Sequence, residues 1–98
     1  MDKSEAKCKL QMMLLKGSLA YTKHANERMA ERKFTAQDVI RALTGGVMEE
    51  GPTPTKKIQG FECVMRTQLN DGRVLEVPIV VDETAGRIIV KSVVRKSG

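Results

Sequence analysis

Aromatic residues are scarce in this sequence, at 3% of the chain, and tryptophan is absent. A hydrophobic core must therefore be built from aliphatic side chains and from the six methionines, whose flexible side chains adapt to irregular surfaces. The hydrophobic content of 41% is enough for a globular fold and too high for a disordered chain. Because the chain has 98 residues, we predict a single domain over residues 1–98 with a core of modest size.

Residue types that bind metals are few in this sequence, and segments that could cross a membrane are lacking. Cys8 and Cys63 lie far apart, and His24 is the single histidine. A closed zinc site needs four ligands, usually Cys or His, so we expect no structural metal and no cofactor. The N-terminus is charged and lacks an apolar signal core, and no apolar run approaches the ~20 residues that span a membrane. We therefore expect a cytoplasmic protein with free thiols and no membrane partner.

The charge balance is basic, with a formal net charge of +5. A basic surface attracts acidic partners, and nucleic acid is the first of these to consider. Many small proteins are equally basic and bind nothing anionic. Charge alone therefore leaves both nucleic-acid binding and its absence open.

Residues 3–16 and 23–32 have the apolar spacing of two helices. In the first, apolar residues recur at the i, i+4, i+7 and i+8 positions of one face, which Met12 and Leu15 widen. This broad apolar face predicts a helix that lies on a sheet or contacts a partner. Thr22 is placed to cap the second helix.

Residues 36–44 carry the clearest helix signals in the chain. Thr35 stands at the N-cap, and Asp38 three residues later completes the pattern of a capping box. Two glycines follow and end the helix. The residues expected on its core face are Val39, Ile40 and Leu43.

After residue 46 the apolar spacing changes to a period of two, which is typical of strands. Two prolines in residues 51–57 predict a loop there. Pro78 cannot donate a ladder hydrogen bond, so we expect an edge segment or a bulge at that position. The sequence predicts an α+β fold with the N-terminal helices packed on one face of a three- to four-stranded antiparallel sheet. The predicted strands are residues 47–50, 61–69, 73–81 and 87–94.

His24, Arg28 and Arg32 are spaced by four residues, so they form a stripe along one edge of the second predicted helix. Cleavage of RNA by its own 2′-hydroxyl needs proton carriers and positive charge on the phosphate. Histidine titrates near neutral pH and can act as acid or base. Arginine makes two-point hydrogen bonds to phosphate oxygens and stays charged. These three are our candidate catalytic residues, with the second proton carrier unidentified.

The same stripe also suits a structural role. A histidine at a helix start can cap or pack, and the two arginines can pair with neighbouring carboxylates to brace the helix. Basic residues on the predicted strands either extend a basic groove or are ordinary solvated side chains. The candidate nucleic-acid-binding residues among them are Lys91, Arg95 and Arg66.

The stretch from residue 21 to residue 39 resembles a bacterial domain-of-unknown-function family, numbered 4258. The hallmark of that family is similar to His-Ala-x-x-Arg-Met-x-x-Arg, followed by a hydrophobic residue, Ser or Thr, and then Asp-Val. The resemblance covers roughly residues 19–94, and the helical motif is its most specific part. The matching positions are His24, Ala25, Arg28, Met29, Arg32, Phe34, Thr35, Asp38 and Val39.

Members of this family look like the RelE/MqsR group of small ribonuclease toxins, which often accompany a zinc-finger or helix-turn-helix antitoxin. The resemblance therefore implies a metal-independent RNA endonuclease of a toxin–antitoxin pair, with RNA and a cognate antitoxin as its partners. The residues leave a second hypothesis open. It is a non-catalytic interaction module that docks through its Met-rich first helix and a sheet edge.

Overall fold

A computed structural model describes residues 1–96 of the chain. Residues 97 and 98, at the end of the predicted domain, lie outside the described residues. No helix within residues 1–96 is long and apolar enough to cross a membrane. The described elements, in chain order, are α1 Lys3–Lys16, β1 Ser18–Tyr21, α2 Lys23–Arg32, α3 Ala36–Gly45, β2 Val47–Pro54, β3 Gly60–Gln68, β4 Val74–Asp82, β5 Arg87–Val90 and β6 Val94–Lys96.

Helices α2 and α3 begin at the caps that the sequence predicts. The Thr22 hydroxyl accepts a hydrogen bond from the Ala25 amide at 3.0 Å at the start of α2. At α3, the Thr35 hydroxyl accepts from the Asp38 amide at 3.1 Å, and the Asp38 carboxylate accepts from the Thr35 amide at 2.9 Å. This reciprocal pair confirms the predicted capping box.

The described strands form one six-stranded mixed sheet in the order β1-β5-β4-β3-β2, with β6 beside β4. β1 runs parallel to β5, from Ser18 opposite Arg87 to Tyr21 opposite Val90, and the other described pairs are antiparallel. The α+β class is confirmed, but the prediction of a three- to four-stranded antiparallel sheet is wrong. The sequence missed β1 because four residues are too few to show a period of two.

The predicted strand 87–94 is two strands, since β5 ends at Val90 and β6 begins at Val94. The break lies beside Pro78 of β4. The Pro78 carbonyl accepts a hydrogen bond from the Lys91 amide at 2.9 Å, and the proline nitrogen on the same side has no hydrogen to donate. The irregularity expected at Pro78 therefore falls in the neighbouring strand, which leaves the sheet at residues 91–93.

The predicted loop at residues 51–57 begins too early, because β2 continues to Pro54. β2 is an edge strand, where proline is tolerated, and its pairing with β3 is irregular, with one register shift between Met48 and Glu50 and a second between Glu50 and Thr53. Gly51 lies between them with φ of 94°, a conformation that favours glycine.

The core lies between the helices and one face of the sheet. On α3 it takes Val39, Ala42 and Leu43, each 0% exposed. Ile40, which we predicted for the same face, is 42% exposed. At 100° per residue it points about 100° away from Val39, so the helix turns it out of the core. The strand residues that belong to this core are Met48, Phe61, Cys63, Met65, Leu75, Val77, Ile79, Val81, Ile88 and Val90.

Candidate nucleic-acid interface

The start of α2 is fixed to the end of β5. The Thr22 amide donates to the Val90 carbonyl at 3.1 Å, and the Thr22 hydroxyl donates to the Lys91 carbonyl at 3.0 Å. Ala25 is 0% exposed and Met29 packs partly against the core, so they define the buried side of the helix. The polar edge of α2 is therefore held in place on the outside of the molecule.

His24 is exposed near the beginning of this edge, next to the exposed Lys23. The first turn of α2, which lies wholly within the described residues, contains no acidic side chain. The N-terminal end of a helix carries a partial positive charge, and most helices place acids there. Lys23 adds to that positive charge, so the first turn of α2 is electrostatically suited to an anion such as phosphate.

Arg28 lies one turn farther along and pairs with Glu31, with 2.5 Å between Nη1 and Oε2. This ion pair with a neighbouring carboxylate is the structural role that the sequence leaves open for Arg28. Both side chains are substantially exposed, at 31% and 57%, and an exposed pair of this kind contributes about 0–1 kcal/mol. Arg28 can therefore leave Glu31 for a phosphate at little cost in stability.

Arg32 has a different environment. Its Nη1 donates to the Val93 carbonyl at 2.6 Å, which ties the end of α2 to the segment between β5 and β6. At a rise of 1.5 Å per residue, Arg32 is about 12 Å from His24 along the helix axis, whereas Arg28 is about 6 Å from it. His24 and Arg28 are thus one helical turn apart, and Arg32 makes a bracing contact.

Two of the other candidate residues lie on the opposite side of the sheet. The Lys91 ammonium is 2.7 Å from the Glu62 carboxylate. Arg66 lies 3.8 Å from Glu49 and 3.9 Å from Glu76. Glu62 and Arg66 alternate along β3 with the buried core residues, so they point away from the helices. Lys91 and Arg66 are therefore not part of the α2 edge.

The far end of α2 holds a basic cluster that the sequence did not predict. Nη1 of Arg73 donates to the carbonyls of Arg32 and Lys33, at 3.2 and 3.0 Å, and its guanidinium carbon lies 4.7 Å from the centre of the Phe34 ring. A cation at the C-terminal end of a helix stabilises the helix dipole. Arg73 therefore caps α2, and the only sequence signal for it was its position after a predicted hairpin turn.

Asp71 balances the charge of this cluster. Its pKa is lowered, first by a hydrogen bond from the Arg73 backbone, then by the Arg73 side chain, with a smaller contribution from the charge of Arg95. Arg95, a candidate nucleic-acid-binding residue, is thus at the Arg73 end of α2 and not beside His24. The Arg73 guanidinium is already bound to Asp71 and to the carbonyl groups of Arg32 and Lys33. Its main role at this end of α2 is therefore structural.

Side chains that could hold a metal are not brought together. Within residues 1–96, no three His, Cys, Asp or Glu side chains form a group suited to bind a metal ion. Cys63 is buried in the core, and burial raises the pKa of its thiol to about 12, whereas Cys8 is exposed. The chemistry available on the α2 edge is that of an imidazole, an ammonium, a guanidinium and the carboxylate of Glu31, which pairs with Arg28.

The chain matches the model of a protein family. The model of a family described as Domain of unknown function (DUF4258) matches residues 21–95. That range includes all of α2, α3 and β2–β5 and most of β6, and it leaves out α1 and residues 18–20 of β1. No curated protein and no solved structure matches the chain.

Proposed function

The chain belongs to the DUF4258 family, and we propose that it is a toxin-like RNA endonuclease that needs no metal ion and is held inactive by an antitoxin protein. The observation that supports this proposal is the first turn of α2, where Lys23 and His24 are exposed at the positive end of the helix. Charges arranged in this way destabilise an isolated helix and stabilise a bound phosphate. RNA is the partner that presents such phosphates in a flexible, accessible strand.

In the proposed reaction, neutral His24 accepts the proton of the RNA 2′-hydroxyl. The 2′-oxygen then forms a bond to phosphorus as the bond from phosphorus to the 5′-oxygen breaks, and water protonates the leaving oxygen. Arg28, about 6 Å along the helix, donates to the non-bridging phosphate oxygens after it leaves Glu31. The products are a 2′,3′-cyclic phosphate and a free 5′-hydroxyl.

The other basic residues have lesser parts in this proposal. Arg32 and Arg73 hold the far end of α2 and thereby position His24 and Arg28. Arg95 lies at the same end and can contact the RNA backbone beyond the cleaved bond. Lys91 and Arg66 are ion-paired on the opposite side of the sheet, so the proposal does not assign them to the cleaved phosphate.

The test is incubation of purified, antitoxin-free protein with single-stranded RNA in the presence of EDTA, which excludes metal-dependent contaminants. His24→Gln should lower cleavage more than binding, because it removes titration and keeps the size and polarity of the side chain. Arg28→Ala should weaken binding roughly ten- to a hundredfold, as expected for a hydrogen bond to a charged group. Arg41→Ala is the matched control, because Arg41 is an exposed arginine of α3 that donates to the Asn70 side chain in the turn between β3 and β4. A wild-type protein that neither binds nor cuts RNA would refute the proposal.

A second function has one observation in its favour. Leu15 and Met12 of α1 are 86% and 50% exposed, although both belong to the apolar side of the sequence pattern. Exposed apolar surface of this kind marks contact sites for other proteins. The chain would then be a non-catalytic interaction module that docks through α1 and the β1 edge of the sheet. RNA cleavage that depends on His24 would exclude protein docking as the sole function of the chain.

A further inference from the structure

An open apolar groove of about 340 Å³ lies between α1, α3 and β1. The two helices meet where the Gln11 side-chain amide donates to the carbonyls of Leu43 and Thr44, at 3.1 and 3.0 Å. One turn beyond that contact, Leu15 on α1 and Ile40 on α3 form the two lips of the groove and are 86% and 42% exposed. The groove therefore adjoins the Gln11 contact between the two helices.

The floor of the groove is apolar. Ile88 of β5 is 0% exposed, and Met13, Leu14 and Leu19 pack against the same core. A volume near the lower end of the range for ligand sites, about 300–1,000 Å³, suits a few aliphatic side chains more than a large cofactor. The surface is thus a continuation of the core that stays open to solvent.

The charged residues next to the two lips of the groove are basic. Within the described chain, none of the residues that line the groove is charged. Lys16 follows Leu15 in the sequence, and Arg41, which donates to the Asn70 side chain at 2.9 Å, follows Ile40. Both cations are exposed. A second copy of this chain, with its own net charge of +5, would bring like charges together, whereas an acidic partner would be attracted.

We propose that this groove binds an acidic amphipathic helix of a partner protein. Apolar side chains spaced by three or four residues would fill the space between Leu15 and Ile40, and flanking Asp or Glu residues would meet Lys16 and Arg41. A helix fits better than an added strand, because β1 is only four residues long and offers few edge hydrogen bonds. The identity of that partner as an antitoxin rests on the proposed function, but binding in the groove does not.

The probes are two synthetic helical peptides with the same leucine spacing, one with glutamate and one with lysine at the flanking positions. Each is titrated into the full-length, isotope-labelled protein, with affinity measured by calorimetry. The glutamate peptide should shift the amide signals of Leu15, Leu19 and Ile40, and it should bind at least about tenfold more tightly than the lysine peptide. Leu15→Ser should weaken this binding by about tenfold or more, as removal of an apolar anchor does.

Val47→Ser is the matched control, because Val47 is 59% exposed and does not line the groove. It should leave peptide affinity unchanged. Equal binding of the two peptides, or signal shifts confined to other surfaces, would overturn the proposal. A dimer in sedimentation that Leu15→Ser dissolves would overturn it in favour of a second copy. RNA cleavage is measured on the same Leu15→Ser protein and should match wild type, so failure of the groove and failure of the RNA proposal are read separately.

Discussion

Arg32 donates a hydrogen bond to the carbonyl of Val93 across 61 residues of sequence, at 2.6 Å. Arg28, one turn earlier on the same helix edge, bonds its neighbour Glu31. The two arginines occupy equivalent positions in the sequence pattern, but Arg32 makes a long-range contact and Arg28 makes a local one. Their substitution should therefore have different consequences.

Arg32→Ala should lower the free energy of unfolding by about 1.5–3 kcal/mol, because it leaves a partly buried carbonyl without its charged donor. Arg28→Ala should lower it by about 0–1 kcal/mol, the range for exposed ion pairs. Urea denaturation of the two variants beside wild type gives both values. Equal losses would mean that Arg32 is not the brace that joins α2 to the sheet.

The cap of α3 gives a second prediction. Thr35→Ala removes the hydroxyl that accepts from the Asp38 amide and should destabilise the protein by about 1 kcal/mol. Thr44→Ala is the control in the same helix, because the Thr44 hydroxyl donates to the carbonyl of Ile40, a contact that contributes little to helix stability. Denaturant melts that place the two variants at the same stability would contradict the capping role.

The two sides of α1 should differ just as clearly. Leu10 is 0% exposed, and Leu10→Ala should cost about 2–5 kcal/mol through lost burial and the cavity left behind. Leu15→Ala removes the same atoms from an 86% exposed position and should stay within about 0.5 kcal/mol of wild type. Thermal or urea unfolding measures the difference. A large loss for Leu15→Ala would show that Leu15 packs in the native state.

The features that the sequence predicted correctly are those set by residues close together in the chain. The capping box of Thr35 and Asp38 spans three residues, and the bounds of α1 and α2 follow from apolar spacing and caps within a few residues. These signals need no knowledge of the tertiary structure. Ile40 shows the limit of these local signals, because the exposure of its side chain depends on which side of α3 packs against the sheet.

The features that were missed depend on contacts between distant residues. β1 is recognisable only by its pairing with β5, which joins Ser18 to Arg87. Arg73 caps α2 from 41 residues away. The sequence predicts His24, Arg28 and Arg32 along one edge of α2. It could not show that Arg28 forms an exposed ion pair while Arg32 makes a bracing contact, because that difference depends on the position of Val93. The local sequence pattern predicts the direction in which a side chain points. The residue that it contacts is set by the topology of the fold.

The two thiols should differ in reactivity. Cys8 is exposed, and Cys63 is buried with its pKa raised to about 12, against about 8.5 for a free thiol. A disulfide reagent at pH 8 should therefore modify Cys8 quickly, and it should modify Cys63 only after denaturant unfolds the protein. Cys8→Ser is the control, and it should leave no fast-reacting thiol. Rapid labelling of native Cys8→Ser would show that Cys63 is accessible.

The last prediction separates function from stability at the start of α2. His24→Glu places an acid in the first helical turn, where it complements the helix dipole, and four residues before Arg28, where it forms a favourable pair. Glu27 is close enough to offset part of this gain, so we expect a net stabilisation of a few tenths of a kcal/mol, up to about 1 kcal/mol. The same carboxylate repels phosphate and removes the imidazole, so RNA binding should weaken and cleavage should disappear.

Lys23→Gln is the companion variant, because it removes one positive charge without adding an acid. It should weaken RNA binding and reduce the dependence of binding on salt by about one phosphate contact, while leaving His24 in place for cleavage. Stability comes from urea denaturation, and binding is measured by fluorescence anisotropy at several salt concentrations. Gain of stability with loss of RNA binding in His24→Glu is the result expected if the basic first turn is kept for a phosphate. A destabilised His24→Glu protein that still binds RNA as wild type does would show that His24 is a packing residue and that the RNA contacts lie elsewhere.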